Sequence, residues 1–450
     1  MTLSEKILGL GQQWQQEVER QKVSESKLLE MEEAAKALGE RVAQAALGSL
    51  LEMAGKGYQG AALDCACGGK LRFQRYASRP VRSLIGEVHY ERAYYYCREC
   101  KTSRSPLDEK LGQSAREISA GVERRVARLG AELSFGAVER VLAEFDLEIS
   151  DRQIETVAEE VGERAEQLSE AEAAAAQTQA LAPRPPLRLV GGSEAKPAPA
   201  RTWVVEMDGV MAGLQGGAWQ EVKVGAIYEL GARVEISRDR WELLDKQRCV
   251  SRWEVEEFRR HLWALLLRSG ARLGDRIVVL GDGAEWIAQT VAELFPGATQ
   301  ILDFYHVSER VWAVANQRYG EQAPAAKAWA ETKLEALKEG RVGEVLTALR
   351  RLEMPNAEAR QIRAETVGYF ERHRHLMAYD RYRAENLPIG SGAIEGSCKH
   401  LVAARCKQSG MRWTPDGLGD ILALRCWVLN DRLDELCPKP KVKIEWAKAA

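Results

Sequence analysis

Three acidic residues stand where metal-dependent phosphodiester chemistry needs them. Asp208 ends the apolar run Trp203-Val-Val-Glu-Met-Asp-Gly209, and Asp282 ends a second, Ile277-Val-Val-Leu-Gly-Asp-Gly283. Glu395 lies in Pro388-Ile-Gly-Ser-Gly-Ala-Ile-Glu-Gly-Ser-Cys-Lys399. Two aspartates at strand ends and a later glutamate can gather two Mg²⁺ ions, hard cations that prefer carboxylate oxygen. Such a pair, roughly 3.5–4 Å apart, clamps the attacking and leaving oxygens of an in-line displacement. That chemistry cuts and rejoins nucleic acid. Either Asp-Gly pair alone is also a common turn. Together they carry more, because ligands of open α/β sheets gather at strand carboxyl ends.

The neighbourhood of Glu395 is basic. Lys399, His400, Arg405, Lys407 and Arg412 follow it, and residues 396–412 contain no acid. An acid opening a basic helix fits a metal ligand beside a DNA track; a solvated helix face is the plainer reading. Trp413 can stack on a base or pack. Asp303 and His306 are three residues apart and share a face if helical. They can orient the site, bind phosphate, or support the metal ligands; a satisfied structural histidine is the plainer reading. Cys65-Ala-Cys67-Gly-Gly and Cys97-Arg-Glu-Cys100 are two pairs about thirty residues apart. This is the thiolate set of a closed tetrahedral zinc site, with buried free thiols as the alternative. The remaining cysteines, 249, 398, 406, 426 and 437, show no ligand spacing.

The elements that must position these groups follow from periodicity. Residues 1–60 read as helix, with Ile7, Leu10, Trp14 and Val18, then Leu28, Met31, Ala35 and Leu38 near helical spacing. They can pack on the body or pair with a second copy. Residues 61–112 alternate as a hairpin with cysteines at both ends. Residues 113–170 carry three apolar helical stripes, and Ser150 is the expected cap of the third. This is a helix-turn-helix pattern. Residues 171–200 form a linker rich in Pro, Gly and Ala. Residues 201–310 alternate strands (201–207, 221–229, 232–237, 276–281, 298–302) with helices (252–269, 284–295, and one from about 307), which makes a mixed α/β sheet. Residues 311–385 are helical, and 386–450 begin as a Gly-rich loop that becomes helix.

Composition bounds the rest. A chain of 450 residues has length for about three domains, and 45% hydrophobic content is ordinary for a globular protein. No apolar run reaches the roughly 18 residues of a membrane span. Met1-Thr-Leu-Ser-Glu-Lys lacks a signal peptide's basic start, so cytoplasmic residence, with the bacterial nucleoid, is expected. Nine cysteines in a reducing compartment favour metal or burial over disulfides. A formal charge of −2 does not exclude nucleic acid, because a groove needs only a local patch.

At these residues the chain resembles the DDE transposases of bacterial insertion sequences, specifically the ISKra type (the fourth-named Kra family) of the Mutator-like superfamily. The resemblance rests on Arg92-Ala-Tyr-Tyr-Tyr-Cys97, Met207-Asp-Gly209, Gly281-Asp-Gly-Ala-Glu-Trp-Ile287, and Phe295-Pro-Gly-Ala with Ile301-Leu-Asp-Phe-Tyr-His306. It continues through Ser391-Gly-Ala-Ile-Glu-Gly-Ser-Cys-Lys-His-Leu-Val402 and Ser409-Gly-Met-Arg-Trp413. It implies an RNase H-like catalytic domain with an α-helical insertion before the glutamate, and Asp208, Asp282 and Glu395 as the catalytic triad. It also matches Asp303 and His306 to the family's Asp-x-x-His signature. The Cys65-Ala-Cys67 knuckle is one residue shorter than the family's pattern.

The expectation is therefore a transposase that binds its element's terminal inverted repeats and catalyses Mg²⁺-dependent strand cleavage and transfer into target DNA. Mn²⁺ can substitute, zinc is structural, and at least a homodimer holds the two ends. The alternatives are a retired transposase-derived regulatory DNA-binding protein, or an RNase H-like nuclease that cuts without joining.

Overall fold

The computed structural model describes residues 2–113, 116–183, 186–188, 195–197, 200–237, 240–252 and 254–441. The chain divides into two compact units, Met1–Ala158 with Cys437–Ala450, and Glu159–Leu436. Among the described residues no helix is long and apolar enough to cross a membrane.

In the first unit, α1 (Leu3–Arg20) and α2 (Leu28–Ala54) form a helical hairpin. Thr2 and Glu5 make a capping box on α1, and Trp14 Nε1 donates to the Ala34 carbonyl at 2.7 Å. Neither helix has a fully buried residue, and Leu8, Leu28, Leu29, Leu50 and Met53 are exposed. A four-stranded antiparallel sheet follows in sequence order: β1 (Ala62–Asp64), β2 (Lys70–Ser83), β3 (Gly86–Cys97) and β4 (Ser103–Arg104). β2 and β3 bury Leu71, Ala93 and Tyr95 in one cluster and Val81, Val88 and Tyr90 in another, the buried phase of β3 switching between Tyr90 and Ala93. After α3 (Pro106–Lys110), α4 (Ala120–Glu132) and α5 (Phe135–Ala143) pack with the start of α6 (Asp151–Ala176). Val122, Val126, Val138, Leu142, Ile154 and Val157 form their core. Gln153 N donates to Ser150 Oγ at 3.4 Å, the expected cap.

The expected linker holds the short pair β5 (Pro186–Arg188) and β6 (Ala195–Pro197). Pro185, Gly191 to Ser193, Ala198 and Pro199 lie outside the described residues, as does 442–450 of the tail.

The second unit is built on a mixed five-stranded sheet of β7 (Thr202–Gly213), β8 (Trp219–Glu229), β11 (Lys246–Ser251), β12 (Arg276–Gly281) and β13 (Thr299–Leu302). Its order is β11-β8-β7-β12-β13. β8 is antiparallel to β7 and β11, while β12 and β13 run parallel to β7. β9 (Arg233–Ser237) and β10 (Arg240–Leu243) make a separate two-stranded ribbon, so the expected strand at 232–237 stands outside the main sheet.

Period-two alternation assigns the faces. Odd residues Trp203, Val205 and Met207 of β7 pack with Val279 against α7 (Val255–Arg268) and α8 (Glu285–Leu294). Even residue Val204 of β7 packs with Val278 and Leu280 against a helical layer. That layer is α9 (Phe304–Tyr319), α10 (Pro324–Lys338), α11 (Val342–Arg351), α12 (Ala357–His373) and α13 (Tyr379–Ala384). The chain then enters α14 (Gly392–Ser397), a π-helical stretch Cys398–Ala403, α15 (Ala404–Cys406), α16 (Pro415–Leu429) and α17 (Leu433–Leu436). α16 buries eleven of its fifteen residues, Arg425 among them.

Candidate functional site

Asp208 does not end its strand. It lies mid-way along β7, paired with Val224 of β8, and the ladder continues to Gly213–Trp219. Asp282 directly follows β12. The parallel register pairs Arg276 with Thr202 and Leu280 with Glu206. Both pairs are 74 residues apart, and so are Asp282 and Asp208, so the register extended by two residues sets the two aspartates level. Both are even-numbered and fall on the face covered by the helical layer. Burial raises the Asp208 carboxyl above its ordinary value, and the nearby Asp282 charge adds to this. Asp208 Oδ1 accepts from Gly209 N, and Asp282 Oδ1 from Ala284 N at 2.8 Å.

Three anchors fix the turn that brings Glu395 to this face. Asp303, buried at the N-cap of α9, accepts from Ser391 N at 2.9 Å and Tyr305 N at 3.1 Å through Oδ1. Its Oδ2 meets His306 Nδ1 at 2.7 Å. Glu206, fully buried two residues before Asp208, accepts from Ile394 N at 2.8 Å and from the Tyr228 hydroxyl at 2.9 Å. Lys246 Nζ donates to the Ala393 carbonyl at 3.1 Å. Glu395 itself is exposed. Cys398, one turn later, donates from Sγ to Asp208 Oδ2 at 3.8 Å. Burial, then the Asp208 charge and more weakly that of Glu395, push its thiol up. A cysteine read as ordinary thus links the two acids.

The hydrogen bond to Asp303 pushes the His306 imidazole up to about 9, with the Asp282 charge contributing. Burial works against ionisation of Asp303, but its His306 and Ser391 hydrogen bonds overcome this and hold it below the usual carboxylate value. Burial pushes the Glu206 carboxyl up to about 7. Sequence reasoning missed Glu206, though its i,i+2 position puts it on Asp208's face.

The basic segment needs correction. Arg405, expected on a DNA path, is wholly buried, 5.0 Å from the Trp413 ring centroid. Trp413 is buried too and donates through Nε1 to the Cys406 carbonyl at 3.0 Å, so it packs. Lys399, His400, Lys407 and Arg412 are exposed; the first two lie on the π-helical stretch.

Among the described residues, two groups bring potential ligand atoms within 4.8 Å of one another, and the three carboxylates are not one of them. One is Cys65, Cys67, Cys97 and Cys100. Cys65 and Cys100 sulfurs are 3.5 Å apart, those of Cys67 and Cys97 3.7 Å. The cluster can hold a metal such as zinc. The short Cys65-Ala-Cys67 knuckle closes because Gly68 takes φ +88° and its N–H bonds the Cys65 carbonyl. The Thr102 hydroxyl pulls the Cys100 thiol down to about 6. The other group is Glu170, Glu257 and His261, where Arg260 also engages Glu170. It joins α6 to α7: Glu257 and His261 lie one helical turn apart on α7, and only Glu170, on α6, is distant in sequence.

A family model matches residues 27–434, and its description is an uncharacterised protein family, UPF0236. The chain belongs to this family. No curated protein matches the chain. The UPF0236 match spans the cysteine cluster, both aspartates and Glu395.

Proposed function

We propose that this UPF0236 member is a DDE-type DNA transposase with an RNase H-like catalytic domain in Glu159–Leu436. The observation that carries the reading is the level placement of Asp208 and Asp282 on one face, with Glu395 tethered to the same face through Glu206, Asp303 and Cys398. Three antiparallel strands extended by two parallel ones, with acids on the central strand and after its parallel neighbour, support the RNase H-like assignment.

Asp208, Asp282 and Glu395 fit divalent magnesium: the donors are all hard oxygen, and the aspartates' mutual repulsion favours a cation between them. Bound Mg²⁺, with Mn²⁺ as a substitute, would supply activation of water or a 3′-hydroxyl and neutralise the leaving oxygen. Asp208 and Asp282 would hold it from the rigid sheet. Glu395, exposed on a short helix, would complete the set when DNA arrives. Asp303 keeps His306 oriented and cationic beside the acids, where it can contact a phosphate. Lys399, His400, Lys407 and Arg412 would neutralise the backbone.

The four-cysteine cluster is proposed to hold zinc, because thiolates select it over hard cations. The zinc sheet and the helices α4–α6 would bind the terminal inverted repeats. The exposed leucines of α1 and α2 would pair with a second copy, as two DNA ends require. Residence with the bacterial nucleoid in the cytoplasm follows from that role.

The test is a strand-transfer assay with pre-cleaved ends taken from the DNA flanking the gene. A transposase joins them to target DNA in Mg²⁺. Cleavage without joining would favour a nuclease, and binding without either a retired regulatory protein.

A further inference from the structure

We infer that a cleft beside Asp282 is a subsite for one phosphate-bearing nucleotide of a single strand, held by Arg310, Arg372, His373 and His375. The inference rests on the proposed nucleic-acid chemistry and adds a site outside the triad. The cleft opens between the loop after β12 and the end of α12, with a volume of about 660 Å³. That lies within the roughly 300–1,000 Å³ of small-ligand sites.

Its charge points to an anion. Four potential cations line it, against the acids Asp282 and Glu285. None of the four is in an ion pair among the described residues. Elsewhere in the unit Arg350 pairs with Glu371, and Arg276, at the other end of β12, pairs with Glu385 at 2.7 Å. Burial first, then the Arg372, His375 and Arg310 charges, hold the His373 imidazole below its ordinary value, so these groups share one pocket of positive field; forked guanidinium donors match phosphate oxygens. α8 also starts here, where Asp282 Oδ1 accepts the N–H of its N-cap residue Ala284 at 2.8 Å. Its positive end adds to the field.

The cleft is built rather than incidental. The Tyr369 hydroxyl donates to the Asp282 carbonyl. Its ring holds the Arg310 guanidinium at 3.9 Å and the His373 ring at 4.7 Å. Gly283 takes φ +86°, and a Cβ there would meet His373 Cε1 at 2.9 Å. Glycine therefore leaves the floor open. Tyr369 ties the subsite to the backbone of Asp282, so a nucleotide here would lie next to the phosphate presented to Asp208 and Asp282.

The experiment titrates the full chain with a 5′-phosphorylated thymidine dinucleotide in EDTA, followed by calorimetry. Arg372 and His375 are exposed, so Arg372→Ala/His375→Ala spares the core. The inference expects wild-type binding and an affinity about tenfold or more lower in the double variant, the loss of at least one charge-assisted contact. Absent wild-type binding, or equal affinities, would overturn it. Inorganic phosphate competing as well as the dinucleotide would overturn the nucleotide assignment. Because the titration needs neither metal nor turnover, the two readings fail separately. Dinucleotide binding without DNA cleavage would strike the transposase reading alone; cleavage without dinucleotide binding would strike the subsite alone.

Discussion

The buried Glu206 carboxylate accepts the Ile394 N–H at 2.8 Å, so the strand that carries Asp208 also holds the turn that carries Glu395. Replacement by alanine strands the Ile394 donor and the Tyr228 hydroxyl and opens a cavity. Glu206→Ala is expected to cost roughly 2–5 kcal/mol in chemical denaturation. Glu206→Gln keeps an acceptor and removes the titration. The folded carboxyl is raised from 4.5 to about 7, so its stability contribution is complete below 4.5 and is lost as pH rises through about 7. At about 1.4 kcal/mol per unit the decline is on the order of 3 kcal/mol. Wild type should lose stability across that window relative to Glu206→Gln; parallel pH profiles would refute the assignment.

Asp303 and His306 form a second titration, in the same pH direction but at higher pH. The imidazole is raised from 6.5 to about 9. Its contribution to stability is therefore complete below 6.5 and is lost as pH rises through about 9. In metal-free protein, NMR should show a histidine titrating near 9 that is absent from His306→Gln. In Asp303→Asn it should fall toward 6.5. A wild-type His306 titrating at 6.5 would contradict the pairing.

The cysteine cluster predicts about one zinc per chain in purified protein and none in Cys65→Ser/Cys100→Ser. Chelation should lower the melting temperature of wild type and leave the variant's unchanged, since metal binding contributes directly to folding. Metal-free wild type with the same melting temperature would rule the site out.

Much of this arrangement is legible in the sequence, for physical reasons. The apolar runs before Asp208 and Asp282 are buried on both sheet faces, and such runs read clearly. The cysteine pairs announce themselves by spacing. What was hidden depends on pairing partners. Asp208-Gly209 has the composition of a turn, yet its ladder continues because β8 supplies a partner out to Trp219. β11, with Lys246, Gln247 and Arg248, reads as polar; as an edge strand it needs only β8 on one side. Glu206 and Cys398 gain their roles from contacts nearly 190 residues away. Arg405 sits in a basic run, but Leu401, Val402 and Cys406 around it bury that turn.

Arg405 and its exposed neighbours should therefore behave differently. Arg405→Ala removes a buried side chain stacked on Trp413 and should cost roughly 2–4 kcal/mol of stability, with the salt dependence of DNA binding unchanged. Lys399→Ala or Lys407→Ala should leave stability within about 0.5 kcal/mol. Each should lower the log–log salt slope by about 1. The reverse pattern, read by denaturation and by binding titrations at several salt concentrations, would move the DNA path away from this segment.

The central claim is that Asp208, Asp282 and Glu395 together hold the metal that acts on a phosphodiester. The most direct measurement is single-turnover cleavage of the element's own end DNA in Mg²⁺ by wild type, Asp208→Asn, Asp282→Asn and Glu395→Gln. Loss of several kcal/mol of transition-state stabilisation corresponds to a rate fall of about 10³-fold or more. Each variant should show that fall while binding the DNA with near wild-type affinity. Wild-type cleavage by any one of the three would contradict the account.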